Sequence, residues 1–356
     1  GSLIIVIGLG FLLLKKKWLA ASVIVLVIIT NPYNFIDSQH QKANSSVKYF
    51  TEGLLGQIKI VDQSFGTMTR GYKMGRGLMV NNTCQTMMDL KYPDYSLWDF
   101  AFFFPAAASI YPEGSNALIL GMGGGTLYKQ YNRLGFNIDV VELDKRIKET
   151  SINYFNVPSS ANIYVDDARH FINTAEKKYE VVTFDLFLSE TPPSHLLTVE
   201  AFEETKKRMT EDGMLLINFY GFISGEPGKA ARSVYKTLCE VFPSVSMLVT
   251  PSRTELSRNL IFMAGAHDFD LSKTQYLEKL NKIDAPKHIT RLVNRFTNLE
   301  PQILDVNSID FSDALVLTDN KPVLEHMYIL AALEWRRSSN NSYTKNYIKN
   351  KDVIFQ

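Results

Sequence analysis

The sequence has little of several features that define common protein classes. Only two cysteines occur in 356 residues, and Cys84 and Cys239 form neither a CxxC pair nor a metal-binding spacing. A disulfide framework is therefore excluded, and free thiols are the simplest interpretation. Charge of one sign is not in excess, because 38 basic and 37 acidic residues leave a net charge of +1. We therefore expect no nucleic acid partner. What is present is 46% hydrophobic residues, which excludes a mainly disordered chain.

The chain is organised around residues 116–142. Asn116–Leu120 is a short apolar run typical of a strand buried on both faces, and the glycine-rich segment Gly121–Gly125 follows it directly. Glycine tolerates positive φ and lets backbone N–H groups approach a ligand closely. A helical segment then leads to a second strand that ends in Glu142, a carboxylate placed to accept ribose hydroxyls. A glycine-rich turn without a ligand is the alternative, but this order of elements favours nucleotide binding.

Strands and helices continue to alternate after Glu142. Asn162–Val165 and Glu180–Phe184 are predicted to be strands, followed by Asp167 and Asp185. Such alternation predicts an α/β fold with a doubly wound, mainly parallel sheet and helices on both faces. Ligands bind at the carboxyl ends of these strands, so the three acids should converge on one crevice. For each acid taken singly, a helix cap or a solvated loop is the alternative.

The segment before this sheet is predicted to form a small β domain. Gln57–Val61 and Leu78–Val80 have strand character, and Asn81–Asn82 is a turn pair in a hairpin position. Gln85 lies just past this turn. Asp94–Ile110, rich in aromatic residues and alanine, is predicted to be a helix that packs before the main sheet.

Four segments carry a resemblance to a known family. They are ALILGMGGGTL at 117–127, VVELD at 140–144, YVDDARHFI at 164–172 and YEVVTFDLFLSETPPSHLLTVEAF at 179–202. Together they resemble the spermidine synthase (polyamine aminopropyltransferase) family, in particular its membrane-attached branch. The resemblance extends from about Gly53 to Gly265. It implies a Rossmann-like S-adenosylmethionine-dependent-transferase fold with a small N-terminal β domain. It also implies decarboxylated S-adenosylmethionine as the donor, a small-molecule amine as the acceptor and no metal.

The resemblance implies a role for each matching residue. Asp185 matches the catalytic aspartate. The residues expected to bind the donor are Gln85, Gly121, Gly123, Gly125, Glu142, Asp167 and Ala168, and the substrate loop contains Glu190, Pro193 and His195. Glu142 matches the acid that binds the ribose, and Asp167 matches the acid beside the adenine. His195 has no assigned chemistry and is an expected loop residue, with a cap or packing role as the alternative.

Several positions depart from the family pattern. The aspartate usual in the glycine-rich loop is replaced by Gly123 or Gly124, and a second aspartate three residues after the catalytic one is replaced by Leu188. Glu190 is the nearest acid. The tyrosine and the histidine or glutamine of the preceding helix align with Leu97–Trp98. The nucleoside half of the site is therefore kept and the amine half is altered, which puts putrescine in doubt as the acceptor.

Two other function classes stay open for these reasons. An S-adenosylmethionine-dependent methyltransferase needs the same ribose and adenine acids but not the missing aspartate of the loop. A membrane-anchored nucleoside-binding domain with a vestigial active site would also tolerate an altered amine pocket. Fold similarity alone does not decide between these classes.

The N-terminus differs in kind from the rest of the chain. Leu3–Leu14 and Trp18–Thr30 are apolar runs on either side of Lys15–Lys17, each shorter than the roughly 20 residues of a full span. Lysines can reach the membrane surface and a tryptophan can lie at the interface. We therefore predict one or more membrane segments in residues 1–36, with a pair of buried soluble helices as the alternative. An inner or plasma membrane location follows, with the side of the catalytic domain left open.

The chain is accordingly divided into four regions. They are the membrane segments at 1–36, a linker with the small β domain at 37–112, the Rossmann-like catalytic domain at 113–265 and a helical extension at 266–356. Helices of the extension are predicted over Ser272–Lys282, His288–Phe296 and Val323–Trp335, and the residues around Asp319 form either a helix-initiating turn or a loop over the site. The expected partners are an amine substrate, the lipid bilayer through the N-terminus and, as an open option, a second copy of the chain.

Overall fold

The computed structural model describes residues 45–67, 71–187, 191–249, 257–276, 278, 299 and 302–339. The strands are β1 (Ser46–Gly53), β2 (Gly56–Thr67), β3 (Gly71–Val80), β4 (Thr83–Asp89), β5 (Asn116–Leu120), β6 (Asn137–Glu142), β7 (Asn162–Val165), β8 (Tyr179–Phe184), β9 (Met209–Gly221), β10 (Ser244–Val249) and β11 (Arg258–Gly265). The α-helices are α1 (Phe103–Ala108), α2 (Thr126–Arg133), α3 (Lys145–Tyr154), α4 (Ala168–Thr174), α5 (Val199–Lys207), α6 (Lys229–Val241) and α7 (Leu324–Ser339).

Strands β5 to β11 form the main sheet, in the order β10-β11-β9-β8-β5-β6-β7. The pairs β9–β8, β8–β5, β5–β6 and β6–β7 are parallel, whereas β11 pairs antiparallel with both β9 and β10. The predicted doubly wound, mainly parallel sheet is therefore confirmed. The strand order reverses at β5, because β6 lies on one side of it and β8 on the other. Ligands bind outside the carboxyl ends of strands at such a reversal.

The first strand of this sheet explains why the sequence is apolar without alternation. Ala117 and Ile119 belong to the hydrophobic core on one face of the sheet, and Leu118 and Leu120 belong to the core on the other face. A parallel strand covered by helices on both faces needs apolar side chains at every position. The run Asn116–Leu120 is therefore a strand in the interior of the fold, as predicted.

Strands β1 to β4 form a separate antiparallel sheet in sequential order. The turn between β3 and β4 is formed by Asn81 and Asn82, which have φ of 49° and 66°, as a two-residue hairpin turn requires. This sheet packs on the domain of the main sheet through Phe155, which lies in one cluster with β2 and β3 side chains. Arg76 of β3 strengthens the contact, because it pairs with Asp62 at 2.6 Å and donates to the carbonyl of Tyr154 at 2.9 Å.

The predicted helix over Asp94–Ile110 is wrong in its first half. Leu97 donates its backbone N–H to the carbonyl of Met87 in β4, and Ser96 forms an isolated antiparallel β-bridge with Met88. This segment therefore follows the edge of β4, since pairing with a neighbouring strand outweighs local helix propensity. A 3-10 turn at Asp99–Phe102 then leads into the short helix α1.

Part of the predicted helical extension lies outside the described residues. α7 matches the prediction for Val323–Trp335. A 3-10 turn at Leu271–Lys273 covers the start of the first predicted helix, and His288–Phe296 is outside the described residues. The predicted membrane segments at 1–36 are also outside them. In the described part of the chain, no helix combines the length and apolar character that a membrane crossing requires.

Candidate active site

A cavity of about 460 Å³ lies at the carboxyl ends of the parallel strands. Its walls come from the main sheet, from the turns and β4 of the N-terminal sheet, and from α7. The predicted site residues that line it are Gln85, Gly121, Gly123, Glu142, Asp167, Ala168, Asp185, Pro193 and His195. Glu190 and Leu188 are outside the described residues. Residues that are far apart in the sequence thus meet in one cavity.

The glycine-rich turn brings the backbone close to the base of this cavity. Gly121 has a φ of +93°, and a Cβ there would lie 2.3 Å from the carbonyl oxygen of Asp185. Gly123 has a φ of +50°, which glycine adopts without strain. Gly125 does not line the cavity, because it occupies the N-cap position of α2 and lies against Val157. Gly121 and Gly123 therefore keep the floor of the cavity open, and Gly125 allows close packing beneath it.

Thr86 of β4 fixes this turn, and sequence analysis missed it. Its hydroxyl oxygen accepts a hydrogen bond from the backbone N–H of Gly124 at 2.8 Å. A Cβ on Gly124 would lie 2.6 Å from the Thr86 methyl group and 2.8 Å from the Phe155 ring. The turn therefore has no room for an aspartate at this position without movement of its neighbours.

Glu142 is buried at the end of β6, and both of its carboxylate oxygens accept backbone hydrogen bonds. Oε2 accepts from Met122 N at 2.9 Å, and Oε1 accepts from Asp144 N at 2.8 Å. Burial raises the pKa of Glu142, while these backbone donors oppose the rise. A carboxylate has about four lone-pair sites, so both oxygens retain capacity to accept from two ligand hydroxyls.

Asp167 is the N-cap of α4, so the helix-cap alternative holds for this residue. Its Oδ1 accepts from the backbone N–H groups of Arg169 and His170 at 2.9 and 3.0 Å. Its Oδ2 lies 3.7 Å from His195 Nε2. Capping uses one oxygen, so the same side chain both starts the helix and presents a carboxylate oxygen to the cavity that it lines.

Asp185 follows β8 and is held by a short chain of amides. Its Oδ1 accepts from Asn218 Nδ2 at 2.8 Å, and Asn218 Oδ1 accepts from Asn259 Nδ2 at 3.0 Å. Burial raises the pKa of Asp185, and the Asn218 hydrogen bond opposes the rise. Both asparagines line the cavity. Sequence analysis missed them, although a polar residue inside the apolar strand β9 is a signal for such a role.

Arg169 connects the predicted substrate loop to the C-terminal extension. Its guanidinium donates to the carbonyl of His195 at 2.7 Å and to Asp319 at 2.8 Å, and it also pairs with Glu204. Asp319 Oδ1 in turn accepts from the Thr198 hydroxyl at 2.7 Å. Asp319 is not among the residues lining the cavity. Its segment therefore anchors the Pro193–Thr198 loop from behind instead of covering the site.

Two residues that the resemblance assigns to the amine half of the site lie outside the cavity. Leu97 and Trp98 pack against a cluster that contains Val61 and Met79, and neither lines the cavity. Trp335 of α7 lines the cavity with an aromatic ring, and sequence analysis did not identify it as a site residue. The described residues contain no group of three or more His, Cys, Asp or Glu that could hold a metal ion.

The fold and the cavity together define an α/β protein of the Rossmann-like type found in S-adenosylmethionine-dependent transferases. Two solved structures share this fold. A probable spermidine synthase from Corynebacterium glutamicum covers 71% of this chain and 94% of its own, with a TM-score of 0.54 and 18% identity. A spermidine synthase in complex with the transition-state analogue AdoDATO covers 70% and 88%, with a TM-score of 0.50 and 15% identity.

The family comparisons are more specific. Residues 105–274 match the family described as the spermine/spermidine synthase domain. A probable polyamine aminopropyl transferase of Bifidobacterium longum is 25% identical over 242 residues, which are 64% of this chain and 51% of that protein. A polyamine aminopropyltransferase of Vibrio vulnificus is 32% identical over 31% of this chain and 39% of its own length. These matches support the spermidine synthase family that the motifs predict.

A third relative belongs to a different enzyme class. An N-terminal histidine N-methyltransferase of Emericella nidulans is 28% identical over 148 residues, which are 40% of this chain and 26% of that protein. The chain thus spans about half or less of the length of these curated relatives.

Proposed function

We propose that this protein transfers an aminopropyl group from decarboxylated S-adenosylmethionine to an amine and releases methylthioadenosine. The convergence of Glu142, Asp167 and Asp185 on one cavity, within a spermine/spermidine synthase domain, is the observation that carries the proposal. Glu142 ends β6 and Asp167 follows β7, on one side of β5, and Asp185 follows β8, on the other. Nucleoside binding and amine chemistry thus occupy opposite sides of the strand-order reversal.

The nucleoside of the donor is bound by the β6–β7 side of the cavity. Glu142 accepts the two ribose hydroxyls, and Asp167 with Ala168 lies at the adenine. Gly121 and Gly123 leave room for the sulfonium end of the donor to pass over the turn, and Gln85 reaches it from the N-terminal sheet. Charge-assisted hydrogen bonds of this kind are the strong ones in a buried site.

The transfer step needs a neutral amine in line with the bond that breaks. The amine nitrogen attacks the propyl carbon next to the sulfonium, a C–N bond forms, and the C–S bond breaks with its electron pair staying on sulfur. The proton lost by the nitrogen goes to Asp185. Holding both reactants in register supplies much of the acceleration. A carboxylate whose pKa is raised by burial is better matched to accepting this proton near neutral pH.

A methyltransferase is the second candidate, because two observations favour it. The turn carries no aspartate for the donor's ammonium, and Gly124 has no room for one beside Thr86 and Phe155. A relative named as a histidine N-methyltransferase is also similar over 148 residues. In this alternative S-adenosylmethionine is the donor, and the methyl group moves to a nucleophile.

Calorimetry separates these candidates at the level of binding. We expect decarboxylated S-adenosylmethionine and methylthioadenosine to bind more tightly than S-adenosylmethionine, because the methyltransferase donor carries an extra carboxylate. The reverse order would favour the methyltransferase. Binding of none of the three would leave a vestigial nucleoside site and contradict both candidates.

The pH dependence of transfer tests the role of Asn218. A base must be deprotonated to act, so activity is lost as pH falls through the pKa of Asp185. Asn218→Leu keeps the side-chain volume but removes the donor that opposes the rise in this pKa. We expect the acid limb of the kcat profile to move to higher pH, with methylthioadenosine affinity unchanged. A lower rate at every pH with an unmoved limb would show that Asn218 has a structural role only.

We further propose that the N-terminal apolar runs attach the protein to a membrane. Deleting residues 1–36 should then release a soluble, folded domain, since both sheets and their hydrophobic clusters are built, in the part of the chain that the structure describes, from residue 46 onward. The measurement is sedimentation after expression with and without the segment, followed by a thermal melt. Aggregation or loss of a cooperative melt in the truncated protein would instead assign these runs to the core.

A further inference from the structure

We infer that the acceptor is a monoamine with an apolar body, selected by an aromatic wall formed by Phe187 and Trp335. This inference rests on the proposed aminopropyl transfer and names the substrate class of the same cavity. Both side chains line the cavity, and their rings meet edge to face with centroids 4.8 Å apart and an angle of 88°. Edge-to-face packing is a favoured arrangement of aromatic pairs, so each ring holds the other in place and the two form a defined apolar surface.

The aromatic wall lies on the same side of the cavity as the proposed base. Phe187 is two residues after Asp185. Trp335 also packs on Tyr220, with centroids 5.1 Å apart, and Tyr220 is two residues after Asn218, the hydrogen-bond donor to Asp185. Residues two apart in an extended strand point to the same face. An amine that reaches Asp185 therefore has the aromatic wall beside the rest of its chain.

α7 holds Trp335 firmly in this position. Tyr328 of α7 is fully buried, packs on Phe219 of β9 and donates its hydroxyl to the carbonyl of Tyr220 at 2.5 Å. The helix also contacts β4 of the N-terminal sheet. It therefore bridges both sheets at the acceptor end, and its tryptophan is fixed by packing instead of by a mobile loop.

Charge at this end of the cavity argues against a second ammonium. Among the lining residues that the structure describes, the carboxylates besides Asp185 are Glu142, Asp144, Asp166 and Asp167, which all lie at or just after the ends of β6 and β7. The position at which the family carries a second aspartate is Leu188. Within the described lining, a distal ammonium beside Phe187 and Trp335 would thus meet aromatic carbon and no carboxylate, which costs far more than burying a methyl group.

Pentylamine and cadaverine test the inference, because they share a five-carbon chain and differ only at the far end. Methylthioadenosine release is measured with each, and the cadaverine rate is corrected for its two equivalent ends. We expect kcat/KM to favour pentylamine by at least about tenfold, since burial of the unpaired ammonium is unfavourable. A preference for cadaverine, as a cation–π contact with Trp335 would produce, overturns the inference and leaves the proposed function standing.

Variants of Trp335 test whether this side chain selects the acceptor amine. We expect Trp335→Ala to raise KM for pentylamine by about tenfold, with Trp335→Phe restoring most of the loss, because the aromatic surface is what the alkyl chain contacts. Leu333→Ala is the matched control, because Leu333 is on the same helix and 56% exposed. Methylthioadenosine binding reports that each variant is folded. Equal KM values in the alanine variant and the wild type would overturn the role of the wall.

A broader panel separates failure of the inference from failure of the proposed function. It contains pentylamine, phenethylamine, putrescine, cadaverine and spermidine. Transfer to the diamines in preference to the monoamines contradicts the inference alone. Release of methylthioadenosine with none of the five, by protein that binds the nucleoside, contradicts the proposed function and the inference with it.

Discussion

Asp185→Asn lowers aminopropyl transfer by about 10²–10⁴-fold, the range typical of general-base catalysis. The amide keeps the size of the side chain and can still accept the hydrogen bond from Asn218, but it cannot accept the proton of the amine. Methylthioadenosine affinity stays within a few-fold of the wild type, because the proposed nucleoside-binding acids, Glu142 and Asp167, lie on the other side of β5. The measurement is methylthioadenosine release under single-turnover conditions with the best amine of the wild type.

Asp212→Asn is the control for this variant. It makes the same chemical change at an exposed carboxylate that contacts His267, away from the cavity. We expect it to transfer at the wild-type rate. Equal transfer by the Asp185 variant would mean that Asp185 only terminates β8, and the proposed mechanism would be wrong.

Glu142→Gln weakens methylthioadenosine binding by at least about tenfold, since hydrogen bonds to a charged group contribute roughly 1.5–3 kcal/mol each. The new amide nitrogen is a donor, and in either orientation it faces the backbone N–H of Met122 or Asp144, which then has no acceptor. The free protein should therefore also melt at a lower temperature. Calorimetry gives the affinity and a thermal melt gives the stability.

The methylthioadenosine affinity of Glu142→Gln is measured below the melting temperature of the variant, where the folded fraction equals that of the wild type. A matched substitution, Asp313→Asn, removes a carboxylate that pairs with Arg232 outside the cavity. It should affect the melt without affecting the affinity. An unchanged dissociation constant in the Glu142 variant would remove Glu142 from the nucleoside site.

The central part of the fold and the meeting of the predicted acids in one cavity follow from local sequence patterns. Asn116–Leu120 has the uninterrupted apolar character of a strand covered on both faces, and the glycines after it leave space that no other residue would. Parallel strands all end at one edge of the sheet, so acids after β6, β7 and β8 must meet. That convergence is a consequence of topology and needs no knowledge of side-chain contacts.

The residues that sequence analysis missed act through long-range contacts. Thr86 reaches the glycine-rich turn 38 positions away, and Asn218 reaches Asp185 across two neighbouring strands. Trp335 comes from a helix at the other end of the chain. The helix predicted from Asp94 failed for the same reason, because its first residues pair with β4. Local propensity describes an isolated segment, whereas these contacts depend on which segments the fold brings together.

Identification of both products of a single turnover tests the proposed function most directly. The protein is incubated with decarboxylated S-adenosylmethionine and pentylamine, and mass spectrometry follows the nucleoside and the amine together. We expect methylthioadenosine and aminopropylated pentylamine to appear in equal amounts, with both lost in Asp185→Asn. Formation of S-adenosylhomocysteine and a methylated product from S-adenosylmethionine, with no methylthioadenosine from the decarboxylated donor and any amine, would contradict aminopropyl transfer.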